Sequence, residues 1–202
     1  MAWLVFWLGG CRTSRPSPSV AQHGNETIVM IRHGEKAVGG LGQLSCRGLN
    51  RALALPKVLV GRFGRPDAIF APDPAVEVRE HSLTTTGYSY VRPLATIEPT
   101  AIALGLPVNA QIGFPDIARL QAAVTAPQYA NSTIFIAWEH KYAYDFARQM
   151  LHSYGLDRVQ VPFWAQDDFE TIYVFRIQDG AMKFSVEKEG LSATLSDTCP
   201  SL

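Results

Sequence analysis

The tetrapeptide Arg32-His33-Gly34-Glu35 holds the side chains of this chain whose types and spacing are best suited to chemistry. It directly follows the apolar run Thr27–Ile31, which predicts a buried strand. The Arg and His would then lie at the carboxyl edge of a sheet, where open α/β folds bind their ligands. An imidazole can attack phosphorus as a nucleophile, and a neighbouring guanidinium can bind two phosphate oxygens at once. The tetrapeptide is therefore a candidate site, unless the strand merely happens to end in polar residues.

A second group of polar side chains is expected at the same edge. The apolar run Ile134–Trp138 predicts another strand, and Glu139 and His140 follow it directly. Arg92 opens a predicted helix after a further strand. Because the carboxyl ends of parallel strands meet at one edge of a sheet, both histidines and both arginines are expected to lie together there.

The elements that must position these residues alternate between strand and helix. The predicted strands are Thr27–Ile31, Asp67–Ala71, Leu106–Val108, Ser132–Trp138, Thr171–Ile177 and Ala181–Glu187. The predicted helices are Arg47–Gly61 with Ser45 as its N-cap, Arg92–Leu104, Ile117–Val124 and Tyr142–Tyr154. This alternation predicts a three-layer α/β/α sandwich with a mostly parallel sheet and an antiparallel edge. Pro56 predicts that the first helix is kinked or broken, and Asp179-Gly180 predicts a hairpin turn.

Length and charge limit what the chain can do. With 202 residues, 47% of them hydrophobic and 18% charged, it is expected to fold as one globular domain. It has 18 Lys and Arg against 18 Asp and Glu, so no overall charge attracts nucleic acid or anionic lipid. No nucleic-acid partner is therefore expected, and any positive potential must be local.

The N-terminus has a different character. The apolar stretch Met1–Gly10 is too short to span a bilayer and fits the hydrophobic part of a secretion signal. Its end resembles a bacterial lipobox, in which a lipidated Cys11 would tether the protein to a membrane and give a secreted or periplasmic location. The alternatives are a frayed terminus with an accidental cysteine, or a cytoplasmic location if the translated start is not the native one. The predicted organisation is a signal or lipobox-like segment with a Ser- and Pro-rich tether over 1–26, a domain over 27–190 and a C-terminal tail over 191–202.

Two further cysteines, Cys46 and Cys199, could pair in an oxidising compartment and tie the tail to the domain. Two free thiols are equally compatible with the sequence. No Cys/His spacing typical of a zinc site occurs, and we expect neither a metal nor a cofactor.

The ordered motifs together resemble the histidine phosphatase superfamily, in the branch that contains phosphoglycerate mutase-like enzymes. Arg32–Glu35 resembles the family signature at the end of the first strand, and Leu44–Ala52 resembles the helix segment that commonly follows it. Arg92 with Thr96 four residues later matches the second arginine, and His140 matches the second histidine. The similarity extends over most of the predicted domain.

This resemblance implies a phosphoglycerate mutase-like fold and hydrolysis of phosphomonoesters through a phosphohistidine. His33 would be the nucleophile, and Arg32, Arg92 and His140 would hold the phosphoryl group. Two nearby guanidiniums also disfavour protonation of His33, which keeps its imidazole nucleophilic. Because the arginines supply the positive charge, no metal is required.

The proton donor to the leaving group is less clearly indicated. Relatives take a Glu or Asp from a loop after the helix that carries the second arginine, and there this chain offers Asp116. Glu139 is preferred because it lies at the predicted site edge, although it could equally be a structural partner for an arginine. Glu80, in an insertion that departs from the family pattern, is a third option. Glu35 and Lys36 are candidates for substrate contact, with a solvated loop pair as the alternative.

The expected partner is a phosphorylated small molecule or a phosphoprotein, and the sequence contains no motif that indicates which of them is the substrate. One alternative function is a catalytically weak phosphate- or phosphoprotein-binding module of the same fold. A phosphoglycerate-type mutase is less favoured, because such mutases tend to be longer, with extra segments around a bisphosphorylated intermediate.

Overall fold

The computed structural model describes residues 24–80 and 86–201. The predicted signal segment and Cys11 lie outside these described residues. The described strands are β1 (Glu26–Arg32), β2 (Lys36–Ala37), β3 (Gly40–Leu44), β4 (Ala68–Pro72), β5 (Glu77–Val78), β6 (Tyr88–Ser89), β7 (Val108–Ile112), β8 (Thr133–Trp138), β9 (Thr171–Gln178) and β10 (Ala181–Lys188). The described α-helices are α1 (Cys46–Phe63), α2 (Arg92–Leu104), α3 (Ile117–Val124) and α4 (His140–Ser153). Within these ranges, none of the helices combines the length and apolar composition needed to span a lipid bilayer.

A six-stranded sheet in the order β10-β9-β1-β8-β4-β7 lies at the centre. Strands β1, β8, β4 and β7 are parallel, whereas β9 runs antiparallel to both β1 and β10. The turn between β9 and β10 consists of Asp179 and Gly180, both with positive φ, as a tight hairpin turn requires. The mostly parallel sheet with an antiparallel edge is confirmed.

Helices cover both faces of this sheet, which confirms the three-layer sandwich. Consecutive strand residues point to opposite faces, so β1 sends Ile28 and Met30 into one core cluster and Val29 and Ile31 into the other. Helices α1 and α2 cover the Val29 face with Leu55, Leu59, Ile97 and Ala101. Helices α3 and α4 cover the Ile28 face with Leu120, Val124, Phe146 and Met150.

One local prediction was wrong, and of the kink or break predicted at Pro56 the structure shows no break. The strand expected at Leu106–Val108 is instead Val108–Ile112, whose alternating half-buried and exposed residues are typical of a sheet edge rather than a buried run. Pro56 does not interrupt α1, which is a single helix. Its neighbours Leu55 and Leu59 are fully buried, and this packing outweighs the ~3 kcal/mol that an interior proline costs.

The C-terminal tail is attached to α1. Cys46, the first residue of α1, forms a disulfide with Cys199, so the pairing that the sequence left open is present. Asn50 of α1 donates hydrogen bonds to the backbone carbonyls of Ser196 and Thr198 at 2.9 and 2.8 Å. The start of α1 is therefore held by both covalent and polar contacts.

This cross-link should stabilise the folded chain. The disulfide joins residues 153 positions apart, and closing so long a loop restricts the unfolded chain strongly. The double variant Cys46→Ser, Cys199→Ser should lower the free energy of unfolding by about 2–4 kcal/mol, measured by urea denaturation. Dithiothreitol should destabilise the wild type by a similar amount and leave the double variant unchanged. Equal unfolding midpoints for the oxidised wild type and the variant would contradict a stabilising role.

Candidate active site

The pairing of β1 with β8 brings the two predicted histidine motifs to one edge of the sheet. Arg32 at the end of β1 is in register with Trp138 at the end of β8. The His33 backbone N–H donates to the Trp138 carbonyl oxygen at 3.0 Å. Because Glu139 and His140 follow Trp138 directly, the two motifs lie side by side.

His33 is oriented with one ring nitrogen engaged and the other open. Its Nδ1 lies 2.7 Å from the carbonyl oxygen of Gly34. A carbonyl only accepts, so Nδ1 carries the proton and Nε2 holds a lone pair. Nε2 is buried and has no hydrogen-bond partner among the described residues. Burial, followed by repulsion from Arg92 and Arg32, holds the pKa of His33 well below its usual value of 6.5, so the ring is neutral.

Arg32 is buried and fixed through one of its nitrogens. Its Nη1 donates to the carbonyl oxygens of Gln166 and Asp168 at 2.7 and 3.0 Å, and Phe169 stacks 4.0 Å from the guanidinium carbon. Its Nε and Nη2 have no hydrogen-bond partner within the described ranges. Burial lowers the pKa of Arg32 to about 10, which still leaves it charged at neutral pH. The open N–H groups can therefore bind an anion.

Arg92, the first residue of α2, is the second buried guanidinium. It lies over the Tyr90 ring at 4.9 Å, and its Nη1 contacts a carboxylate oxygen of Glu80. Thr96, one turn later, donates its hydroxyl to the Arg92 carbonyl and accepts the Gly34 N–H at 2.9 Å. The Arg92–Thr96 motif thus ties α2 to the turn that follows His33.

Close packing of glycines forms that turn. A Cβ on Gly34 would lie 2.9 Å from the backbone oxygen of Gly48 in α1, and a Cβ on Gly48 would overlap the backbone of Glu35. Both positions therefore require glycine, because the chain after His33 lies directly against the first turn of α1.

Glu139 and His140 form a contacting pair at the start of α4. Glu139 is the N-cap, and its Oε2 accepts the N–H groups of Lys141 and Tyr142 at 2.8 and 3.2 Å. Its Oε1 lies 2.6 Å from Nδ1 of His140. Burial alone would raise the pKa of Glu139, but the His140 contact and these N–H groups lower it overall. Glu139 is thus held as an ionised carboxylate that orients His140.

A pocket of about 260 Å³ opens at these groups. Its described lining comprises Lys36, Val78, Arg79, Glu80, Tyr90, Arg92, Phe114, Glu139, His140, Lys141, Tyr142 and Gln166. Lys36, Arg79 and Lys141 add positive charge to the buried arginines. Burial, and then repulsion from Arg92, lowers the pKa of Lys36, with Glu80 and Glu139 opposing this shift. It suits a small substrate with a negatively charged group.

Two predicted site residues lie elsewhere. Glu35 does not line the described pocket, because both of its oxygens accept from the buried Arg51 at 2.7 and 3.0 Å. Asp116 is exposed and caps α3 by accepting the Arg119 N–H at 3.1 Å. Glu35 therefore has a structural partner instead of the expected substrate contact, and Asp116 has a capping contact instead of a place in the described lining.

Three features of the site were not predicted from the sequence. Tyr90 packs edge-on against His33 with ring centroids 5.9 Å apart, Gln166 lines the pocket, and Arg51 joins Glu35 to Glu170. The sequence signal for Arg51 was an arginine on the helix face that also carries Ala52 and Leu55, since Arg is rarely buried without partners.

In the described ranges, no group of three or more His, Cys, Asp or Glu side chains could hold a metal ion.

Comparison with solved structures identifies the fold. A candidate phosphohistidine phosphatase, SixA from Nakamurella multipartitia, superposes with a TM-score of 0.55 at 18% identity over 81% of this chain and 96% of that protein. A mycobacterial glucosyl-3-phosphoglycerate phosphatase gives 0.52 at 14% identity over 80% and 97% of the two chains. Phosphoserine phosphatase from Entamoeba histolytica gives 0.50 at 13% identity over 84% and 100%. No family model and no curated protein sequence matches the chain. The chain therefore shares the fold of these solved phosphatases.

The buried neutral His33 should make folding stability sensitive to acid. Its pKa is lowered in the folded state, so below about pH 6.5 the unfolded chain binds a proton that the folded chain does not. Stability contributed by this group is therefore lost as the pH falls. Between pH 7.5 and pH 5 the wild type should lose up to about 2 kcal/mol more than His33→Asn in urea denaturation, at ~1.4 kcal/mol per pH unit below 6.5. Equal losses for the two proteins would show that His33 titrates normally.

Proposed function

We propose that this chain is a phosphomonoester hydrolase that acts through a phosphohistidine on His33. The observation that carries the proposal is a neutral imidazole beside two buried guanidiniums, with an Nε2 that has no hydrogen-bond partner among the described residues. The shared fold with solved phosphatases supports the same chemistry.

The proposed reaction assigns a separate task to each group. Nε2 of His33 attacks phosphorus, while the open N–H groups of Arg32 and Arg92 bind the equatorial oxygens. His140, whose Nδ1 contacts Glu139, would donate from Nε2 to a phosphoryl oxygen when its ring carries both protons. Phosphoryl transfer asks the protein mainly for positioning and charge stabilisation, which fixed guanidiniums supply without a metal ion.

An anion-binding module is the second candidate. It is favoured by two observations: Glu80 contacts Arg92, and His33 is not itself among the described residues that line the pocket. Such a module would bind phosphate or a phosphoprotein without turnover. The two functions differ in whether a phosphorylated His33 forms.

We also propose that the domain functions outside the reducing cytoplasm, in a secreted or periplasmic setting. The Cys46–Cys199 disulfide supports this location, because disulfides persist mainly in oxidising compartments. A membrane tether through lipidated Cys11 stays a prediction, since that residue lies outside the described ranges.

Hydrolysis of 4-nitrophenyl phosphate in EDTA tests the proposed function. The wild type should turn over in EDTA, and His33→Ala should lose activity by at least ~10³-fold, because the covalent route is removed. His152→Ala removes an exposed histidine of α4 and should retain wild-type activity. Brief reaction with ³²P-labelled substrate should leave acid-labile, base-stable label on the wild type and none on His33→Ala. Tight vanadate binding without turnover or labelling would instead support the binding module.

A further inference from the structure

Glu80 occupies a place in the pocket where a substrate anion would be expected. Its side chain is only 5% exposed, and one carboxylate oxygen contacts Nη1 of Arg92. The same oxygen accepts the backbone N–H of Gly42 at 3.2 Å. The Glu80 carboxylate contacts Arg92 where a phosphoryl oxygen of the substrate would bind. Glu80 and the substrate therefore compete for the N–H groups of Arg92.

The hairpin of β2 and β3 is shaped to receive this carboxylate. Gly40 and Gly42 have φ values of 78° and 66°, a conformation that favours glycine. A Cβ on Gly40 would overlap the carboxyl group of Glu80. The carbonyl oxygen of Gly40 also accepts from Arg92 at 3.4 Å. One hairpin thus positions both the arginine and the carboxylate.

The other carboxylates are committed to different partners. Glu139 caps α4 and contacts His140, which holds it ionised. Glu35 is paired with Arg51, and Asp116 caps α3. Among the residues described, Glu80 and Glu139 are the carboxylates that line the pocket; Glu139 is fixed as the N-cap of α4, whereas Glu80 contacts the guanidinium of Arg92.

We propose that Glu80 is the proton donor to the leaving group, and that the phosphoryl group prepares it by displacing it from Arg92. This inference rests on the proposed phosphatase function. Once displaced from Arg92, the Glu80 carboxylate takes a proton from water and presents it to the leaving oxygen. The substrate thus creates the acid that its own cleavage needs.

The two half-reactions balance with this assignment. In the first, Nε2 of His33 forms a bond to phosphorus, the P–O bond to the leaving group breaks, and the alkoxide takes the proton of Glu80. In the second, the Glu80 carboxylate takes a proton from water as that water attacks phosphorus and the P–N bond breaks. Phosphate and the alcohol are released, and His33 and protonated Glu80 are regenerated.

Dependence on the leaving group tests this role. A poor leaving group needs a proton, whereas 4-nitrophenolate leaves without one. In the 202-residue chain, Glu80→Gln should lower kcat for an alkyl phosphate by ~10²–10⁴-fold and kcat for 4-nitrophenyl phosphate by less than ~10-fold. Glu80→Asp, which retains an acid, should recover part of the alkyl phosphatase rate. Glu77→Gln changes an exposed glutamate three residues away and should match the wild type with both substrates.

Each other outcome contradicts the assignment in a recognisable way. If Glu139→Gln shows the selective loss on alkyl phosphate and Glu80→Gln does not, Glu139 is the donor. If Glu80→Gln lowers KM and raises kcat with both substrates, Glu80 is only an inhibitory occupant of Arg92. If the wild type forms no phosphohistidine with 4-nitrophenyl phosphate, the proposed function itself fails and the donor role falls with it. Labelling of Glu80→Gln by that substrate separates the two failures, because phosphohistidine formation there needs His33 but not the acid.

Discussion

Two buried guanidiniums beside one imidazole set the constraint on which the rest of the site depends. Arg32 and Arg92 are both essentially removed from water, and burying a charge is costly unless polar groups replace its hydration. Backbone carbonyls of the 166–168 loop do this for Arg32, and Glu80 does it for Arg92. A third positive charge on His33 would raise the cost further, so the imidazole stays neutral. The same potential that excludes a proton favours a phosphoryl anion.

Holding these groups in place requires support from distant parts of the chain. Arg51 of α1 contacts Glu35, Glu170 and Glu189, so the turn after His33 is linked to the segments on both sides of the β9–β10 hairpin. Burial, with smaller contributions from repulsion by Glu170 and Glu35, raises the pKa of Glu189 to about 8 against the opposing effect of Arg51. Removing one partner of such a cluster leaves buried charge uncompensated. The tail, fixed by the disulfide at Cys199, covers the same region of α1.

The sequence was sufficient for the fold because its signals are local and periodic. The apolar runs of β1 and β8 predict buried parallel strands, and parallel strands must end at one edge, so His33 and His140 were expected to be neighbours. Helices α2 and α3 agree with the predicted bounds. The edge strand β7 was misplaced because half its residues face solvent.

The partner of Glu35 could not be predicted for a different reason. Arg51 is sixteen residues away on a helix, and Glu170 is more than a hundred residues further on, so nothing local links the three side chains. A glutamate within a signature motif looks like a substrate ligand until its buried partner is known. Tertiary ion pairs of this kind are visible in sequence only as an unexpected charge on an apolar face.

The position of Glu80 shows why a proton donor can be harder to recognise than a nucleophile. His33, the proposed nucleophile, directly follows β1, and its backbone N–H is bound to Trp138 at the end of β8, so its position is marked by a motif at a strand end. An acid needs only to reach the leaving oxygen, so a loop from any part of the chain can supply it. The position of Glu80 is set by electrostatics. When no substrate is bound, the buried charge of Arg92 needs an anionic partner, and the Glu80 carboxylate supplies it. The same carboxylate then lies beside the place where the phosphoryl group would bind. Stabilising the empty site and donating a proton are then two consequences of one placement.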